Sequence, residues 1–332
     1  MPLKDPHRRL PYDLERLARL PRVYGDTPSF LGSPLVELPD GARGKDVVFM
    51  GVPWEGAVTW GGFSGCELAV KTIRQASVRY GTYLPELDQD AGEALRLGDA
   101  GDVAVVPGKG PETMQAVHRT AVQVFQAGAR PVFFGGDHSY TPAIIEALVQ
   151  VSGGPVGVLH LDAHLDNLPD YGGDTLARCG PLYRIARTPG VRPQSVVSFG
   201  IRGPRNAPLQ MEMAREAGSP VLTMAQVREM GFEAAVEQAI ALAHQETKAV
   251  YLTICSDILD GLCNPGGAPD FDGLLPHELF YLVRRAAAAG LAGMDYVEVY
   301  PLQDPAQRSS HLASWTLIHA LAGMAQAKQG AA

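Results

Sequence analysis

The stretch Val156-Gly157-Val158-Leu159-His160-Leu161-Asp162-Ala163-His164-Leu165-Asp166 carries two patterns in succession. Its first six residues are almost wholly apolar and lack the alternation of a half-exposed strand, which marks a strand covered on both faces. The last five alternate instead. In extended backbone the side chains of Asp162, His164 and Asp166 project the same way and converge on one small volume. Two carboxylates and one imidazole form a hard-oxygen and borderline-nitrogen donor set, suited to Mn, Fe, Ni or Zn.

Seven further apolar runs read as buried strands: 47–52, 103–106, 131–134, 195–200, 220–223, 249–254 and 295–300. Between them lie helical stretches, among them 111–126, 142–151, 232–244 and 276–289. Strand and helix alternate throughout. That order predicts an α/β fold: a single three-layer domain whose mainly parallel eight-stranded sheet carries helices on both faces. Ligands then bind beyond the carboxyl ends of the strands. His138, in Gly135-Gly136-Asp137-His138, and Asp257 follow such runs at matching strand ends, so both are expected to join the claw at 162–166.

Composition narrows the function classes. With 332 residues, 46% apolar and 19% charged, the chain has the make-up of a globular protein with a sizeable core. A net charge of -8 argues against nucleic acid and anionic membrane as partners. The start, Met1 to Tyr12, lacks the apolar core of a signal peptide, and no apolar run is long enough to span a bilayer, so a cytoplasmic location is expected. In that compartment Cys66, Cys179, Cys255 and Cys263 stay reduced. No Gly-x-Gly-x-x-Gly or P-loop sequence is present. Residues 1–40, rich in proline, read as an arm that wraps the domain or a neighbouring subunit, with 41–332 forming the domain itself.

Four motifs in order carry a resemblance: Gly135-Gly136-Asp137-His138-Ser139, Asp162-Ala163-His164-Leu165-Asp166, Phe199-Gly200-Ile201-Arg202 and Asp295-Tyr296-Val297-Glu298-Val299. The weaker Gly51-Val52-Pro53-Trp54 and Gly98-Asp99 agree. From Val47 onward the chain resembles the arginase/agmatinase, or ureohydrolase, family. The resemblance implies hydrolysis of a guanidino carbon-nitrogen bond to urea and an amine, with two divalent cations, Mn or Ni, activating the attacking water. It also implies a trimer or hexamer. Carried over by position, it makes His138, Asp162, His164, Asp166 and Asp257 metal ligands, and makes Glu298 the carboxylate that pairs with a cationic guanidino substrate.

The same comparison exposes departures. Aligned without gaps on Pro265-Gly266, the family's third metal motif falls on 253–261, which puts Cys255 at the place of the bridging aspartate and leaves Asp257 as the second ligand. A gapped alignment would use Asp257 and Asp260 but displaces the Pro-Gly. Cys179 stands at the usual histidine, a proton carrier or substrate contact, and Glu67-Leu68-Ala69-Val70 replaces an Arg-x-Gly-Pro element. One sulfur in a bridging position favours a single metal, or none, in this chain.

Two functions follow. In the first, the chain supports a complex that hydrolyses a guanidino or biguanide bond, an arrangement similar to that of two-subunit biguanide (metformin) hydrolases, and an intact paralogous subunit carries the working centre. In the second, it is itself an active Mn- or Ni-dependent guanidino hydrolase of agmatinase type.

Overall fold

A computed structural model describes residues 20–56 and 64–330. Its centre is an eight-stranded sheet made of β1 (Val47–Gly51), β2 (Leu97–Asp102), β3 (Arg130–Phe134), β4 (Val156–Leu161), β5 (Val191–Ile201), β6 (Val221–Thr223), β7 (Ala249–Cys255) and β8 (Gly293–Val297). The spatial order is β6-β5-β4-β7-β8-β3-β1-β2, and every pairing is parallel. The helices that flank it include α1 (Ala69–Ser77), α2 (Gly110–Gln126), α3 (Thr141–Ser152), α4 (Phe232–His244), α5 (Pro276–Gly290) and α6 (Arg308–Gly330).

The absence of polar alternation in these strands has its expected cause, two separate cores on the two faces of one sheet. Phe49, Phe134, Leu161, Leu252 and Ile254 pack with residues of α1, α4, α5 and α6. Their neighbours Val48, Met50, Phe133, Val158 and Tyr251 turn the other way and pack with α2 and α3. Period-two geometry sends adjacent residues to opposite faces, so both sets must be apolar.

The structure moves two expected strands. Residues 103–106 are not a strand; the edge strand is β2, six residues earlier, and it reads Leu-Gly-Asp-Ala-Gly-Asp. Its polarity hides it from an apolar-run criterion. It is held by a buried arginine: Arg74 of α1 donates to both carboxylate oxygens of Asp99 at 3.0 Å, to the Gly101 carbonyl at 2.8 Å, and to Asp102. The run expected at 295–300 pairs only through Val297, and Glu298 turns out of the sheet with φ 61°.

The Ala/Gly-rich segment after Leu321 belongs to α6, where Leu317, Leu321 and Met324 are buried. Gly323 permits the close approach of α6 to α5, since a Cβ there would lie 2.2 Å from the Arg284 carbonyl oxygen. Of the arm read over 1–40, residues 1–19 lie outside the described structure. Beyond them, Phe30 is buried with its ring 4.6 Å from that of Phe49, and its amide donates to Asp99. No described helix is long and apolar enough to cross a membrane.

Candidate metal centre

β4, β7, β8 and β3 are consecutive in the sheet, and the carboxyl end of each delivers part of the centre. After β3 the chain turns through Gly135 and Gly136, both at positive φ; a Cβ on Gly136 would lie 2.5 Å from the Val52 carbonyl oxygen. Only glycine fits there, and the turn sets His138 at the head of a short helix that continues into α3. β4 supplies Asp162 and the loop with His164 and Asp166, β7 ends on Cys255 with Asp257 just beyond, and β8 leads into Glu298. Arg202, from the Phe-Gly-Ile-Arg motif, clamps the far loops by donating to the backbone carbonyls of Asp257 at 2.6 Å, Leu259 at 3.1 Å and Phe271 at 2.8 Å.

All six residues read as metal-site positions come together. The His138 Nδ1 lies 3.3 Å from Asp162 Oδ2 and 3.3 Å from Asp166 Oδ2. The His164 Nδ1 lies 3.4 Å from Asp162 Oδ1 and 3.1 Å from Asp257 Oδ2. Two ligand-spaced sets result, one of His138, Asp162 and Cys255 and one of Asp162, His164 and Asp257, with donor atoms in each within 4.8 Å of one another. Asp162 belongs to both. Its two oxygens face different sets, so a carboxylate able to serve two cations survives even though Cys255 stands at the expected bridging place. Asp260, the ligand of the gapped alignment, is instead engaged by the backbone amides of Leu262 and Gly273.

The donor set fits a divalent cation. His138 Nδ1 is buried, has no well-directed hydrogen bond, and faces two carboxylates. On the ring's other side Nε2 donates to Thr253 Oγ1 at 2.8 Å, because that hydroxyl spends its own proton on Asp295 Oδ1 at 2.5 Å. The relay keeps the Nε2 proton in place, so Nδ1, the nitrogen that faces the carboxylates, is the one whose proton a bound cation would replace. Asp295 is buried and also accepts from Thr141 of α3 and from Tyr251. Behind Asp162 stands His160, 3.1 Å from Oδ2, with its other nitrogen 3.1 Å from Ser198 Oγ. These supporting residues were missed in the sequence. Their signal was present: His160, Thr253 and Asp295 are polar residues inside otherwise apolar, doubly buried strands.

The local field calls for positive charge. Burial opposes protonation of His138 and His164, yet the facing carboxylates outweigh it and hold both rings well above the ordinary imidazole value. Burial raises Asp162, but the three histidines around it keep it well below the usual carboxylate range. Burial, then Asp162, Asp257 and Glu298, push the Cys255 thiol well up. Cys179 lines the same cavity, and burial and Asp166 raise its thiol to about 11.

That cavity, about 270 Å³, opens onto His164, Asp166, Asp257, Cys255 and Glu298. The carboxylate of Glu298 is already occupied. It accepts from the His138 amide at 2.8 Å, from Tyr300 Oη at 2.7 Å and from Arg178 Nη1 at 3.0 Å. Burial carries it up to about 7, against the pull of Arg178. Arg178 is the largest omission of the sequence reading, which singled out only its neighbour Cys179.

Known proteins resemble this chain in sequence and in fold. The chain is 32% identical over 293 residues to a formimidoylglutamase of Halobacterium salinarum, covering 87% of this chain and 91% of that one. It is 31% identical to a guanidinopropionase of Pseudomonas aeruginosa, covering 86% and 87%. Among solved structures, the proclavaminate amidino hydrolase of Streptomyces clavuligerus superposes with a TM-score of 0.82 at 27% identity, covering 92% of this chain and 99% of that one. A Trypanosoma cruzi formiminoglutamase solved with Mn2+ superposes at 0.81 and 25% identity, covering 90% and 99%. With the arginase family description matching residues 45–323, the sheet order and the paired ligand sets at its carboxyl edge have one explanation: the chain belongs to the arginase family.

Proposed function

We propose that this chain is a ureohydrolase subunit of a complex that cleaves a guanidino or biguanide carbon-nitrogen bond to urea and an amine, with its own metal centre impaired. One observation carries the reading. At the end of β7, where the centre draws His138 and Asp162 together, the third donor is the single sulfur of Cys255. A carboxylate offers two oxygens to two cations; a sulfur is one atom and forces a different geometry.

His138, Asp162 and Asp166, with the sulfur of Cys255 beside them, would hold one Mn or Ni ion, and Asp162, His164 and Asp257 are the residues left for a second, weakened place. Bound metal in such a site supplies an acidified water as nucleophile. The chain's own residues do the rest. Thr253 and Asp295 orient His138, Arg202 holds the Asp257 loop in place, and Glu298 sits where a planar cationic group would meet a carboxylate. The complex is a trimer or hexamer in which a paralogue with an intact Asp-x-Asp third motif supplies the turnover.

A second reading, an active Mn- or Ni-dependent guanidino hydrolase of agmatinase type, is favoured by the position of Asp162 in both sets. Turnover of agmatine, guanidinobutyrate, arginine, guanidine and dimethylbiguanide, measured on the lone chain and on a co-expressed complex, separates the two. Little urea release by the lone chain, fewer than two metal ions per chain by elemental analysis, and a rise in metal content in Cys255→Asp are the expected outcomes. Robust turnover by the lone wild-type chain that Asp162→Ala abolishes would establish the second reading.

A further inference from the structure

The guanidinium of Arg178 sits in an acidic cradle. Its Nη1 donates to Glu298 Oε2 at 3.0 Å and its Nη2 to Glu55 Oε1 at 3.1 Å, with Asp137 Oδ2 at 3.5 Å. Arg178 and Glu298 are each about 5% exposed in their side chains, and both line the cavity of the metal centre. Glu55 is fixed in turn by the amides of Ser64 and Gly65 and by the Ser64 hydroxyl. Asp137 is fixed by the amides of Gly56 and Ser139. Glu55, Asp137 and Glu298 lie outside regular strands and helices but are each pinned by backbone amides, and the arginine reaches them from a loop of its own. That loop, between the claw and the short helix Pro181–Ile185, carries little regular structure. A planar fork of donors matches carboxylates in just the way a guanidino ligand would.

We propose that Arg178 is a built-in guanidinium that occupies the carboxylate cradle of Glu298, Glu55 and Asp137, so that a guanidino compound reaches Glu298 in this chain only by displacing it. The inference rests on the reading of Glu298 as the acceptor for a cationic substrate. It gives that site a gate: the planar cation recognised at the cavity floor is supplied by the protein itself. Chains of this fold without an arginine at this place would present the same carboxylate free to ligand.

The test uses the full-length chain, supplied with Mn, and guanidinium chloride at millimolar concentration as the probe, with sodium chloride matched for ionic strength. Arg178→Ala and Arg178→Gln both leave the cradle without its cation, and the free ion should fill it. Calorimetric titration is expected to show guanidinium binding at least ~10-fold more tightly to either variant than to wild type, a difference of about 1.4 kcal/mol. Its presence should raise their melting temperatures and leave that of wild type unmoved. Arg178→Lys, which keeps a charge without the planar fork, should gain less. A variant that folds only with guanidinium in the buffer gives the same answer. Binding no tighter than wild type, or failure to fold even with guanidinium present, overturns the proposal. The role of Glu298 is tested separately by adding Glu298→Gln to Arg178→Gln. Loss of the gained affinity supports that role, whereas a gain that persists leaves Arg178 as the gate and removes Glu298 as the acceptor.

Discussion

The orientation of the His138 ring depends on a relay that runs through the Thr253 hydroxyl to the buried carboxylate of Asp295. Asp162, His164 and Asp166 announce themselves because a carboxylate or imidazole on every second residue after a buried strand has few other uses, although the expected extended backbone ends at Leu161 and the three converge from a loop with Asp166 at φ 45°. Thr253 and Asp295 sit singly within apolar strands, and their link exists only once β7 and β8 lie side by side, with Thr253 registered opposite Asp295. Thr253→Val, nearly isosteric, should therefore keep the fold and remove the acceptor that holds the His138 ring. Metal affinity is expected to fall by roughly 10–100-fold, read by competition with a chelating dye. Unchanged affinity would mean that the carboxylates alone orient the ring. Arg178 was hidden for a different reason, since nothing in a loop sequence says which carboxylates its tip will meet.

At the scale of elements, apolar strands and capped helices were legible while elements held by polar contacts were not. β4, β7, α2 and α4 follow from period and boundary residues. β2 owes its place to Arg74 and Asp99, a partnership 25 residues apart in sequence that no local pattern reveals. The end of α6 is fastened similarly. Lys328 Nζ lies 2.8 Å from Asp46 Oδ2, and the Arg96 amide donates to the same oxygen at 2.7 Å, joining the last helix to the entrances of β1 and β2. Burial raises the Asp46 carboxyl, but Arg96 and Lys328 prevail and bring it from 3.8 down to about 2. A folded-state value below the unfolded one stabilises fully above the unfolded value and loses its effect as pH falls through the folded one. Asp46→Asn should thus cost on the order of 1 kcal/mol at neutral pH. In denaturant titrations the gap from wild type should close as pH drops from about 4 towards 2, and a gap constant over that range would contradict the assignment.

For the whole molecule, a cation held by these residues would tie the ends of three strands, β3, β4 and β7, together at one edge, so metal and fold would be thermodynamically linked. At free metal near one hundred times its Kd the fold should gain about 2.7 kcal/mol, seen in scanning calorimetry as a higher melting temperature with Mn or Ni than with EDTA. Asp162→Ala, which removes the residue shared by both ligand sets, should erase that difference; a shift that survives would place the stabilising metal elsewhere. The sheet order has a consequence for how the chain is made. β3, β1 and β2 form one block of the finished sheet, β6, β5, β4 and β7 form the other, and the strand between β7 and β3 is β8, the last to leave the ribosome. Until residues 293–297 emerge, each block carries an unpaired hydrophobic edge, the kind that recruits other chains. Any truncation or stall before β8 should yield two open half-sheets prone to aggregate. The centre, whose ligands are divided between those blocks, comes into being at the moment the seam closes.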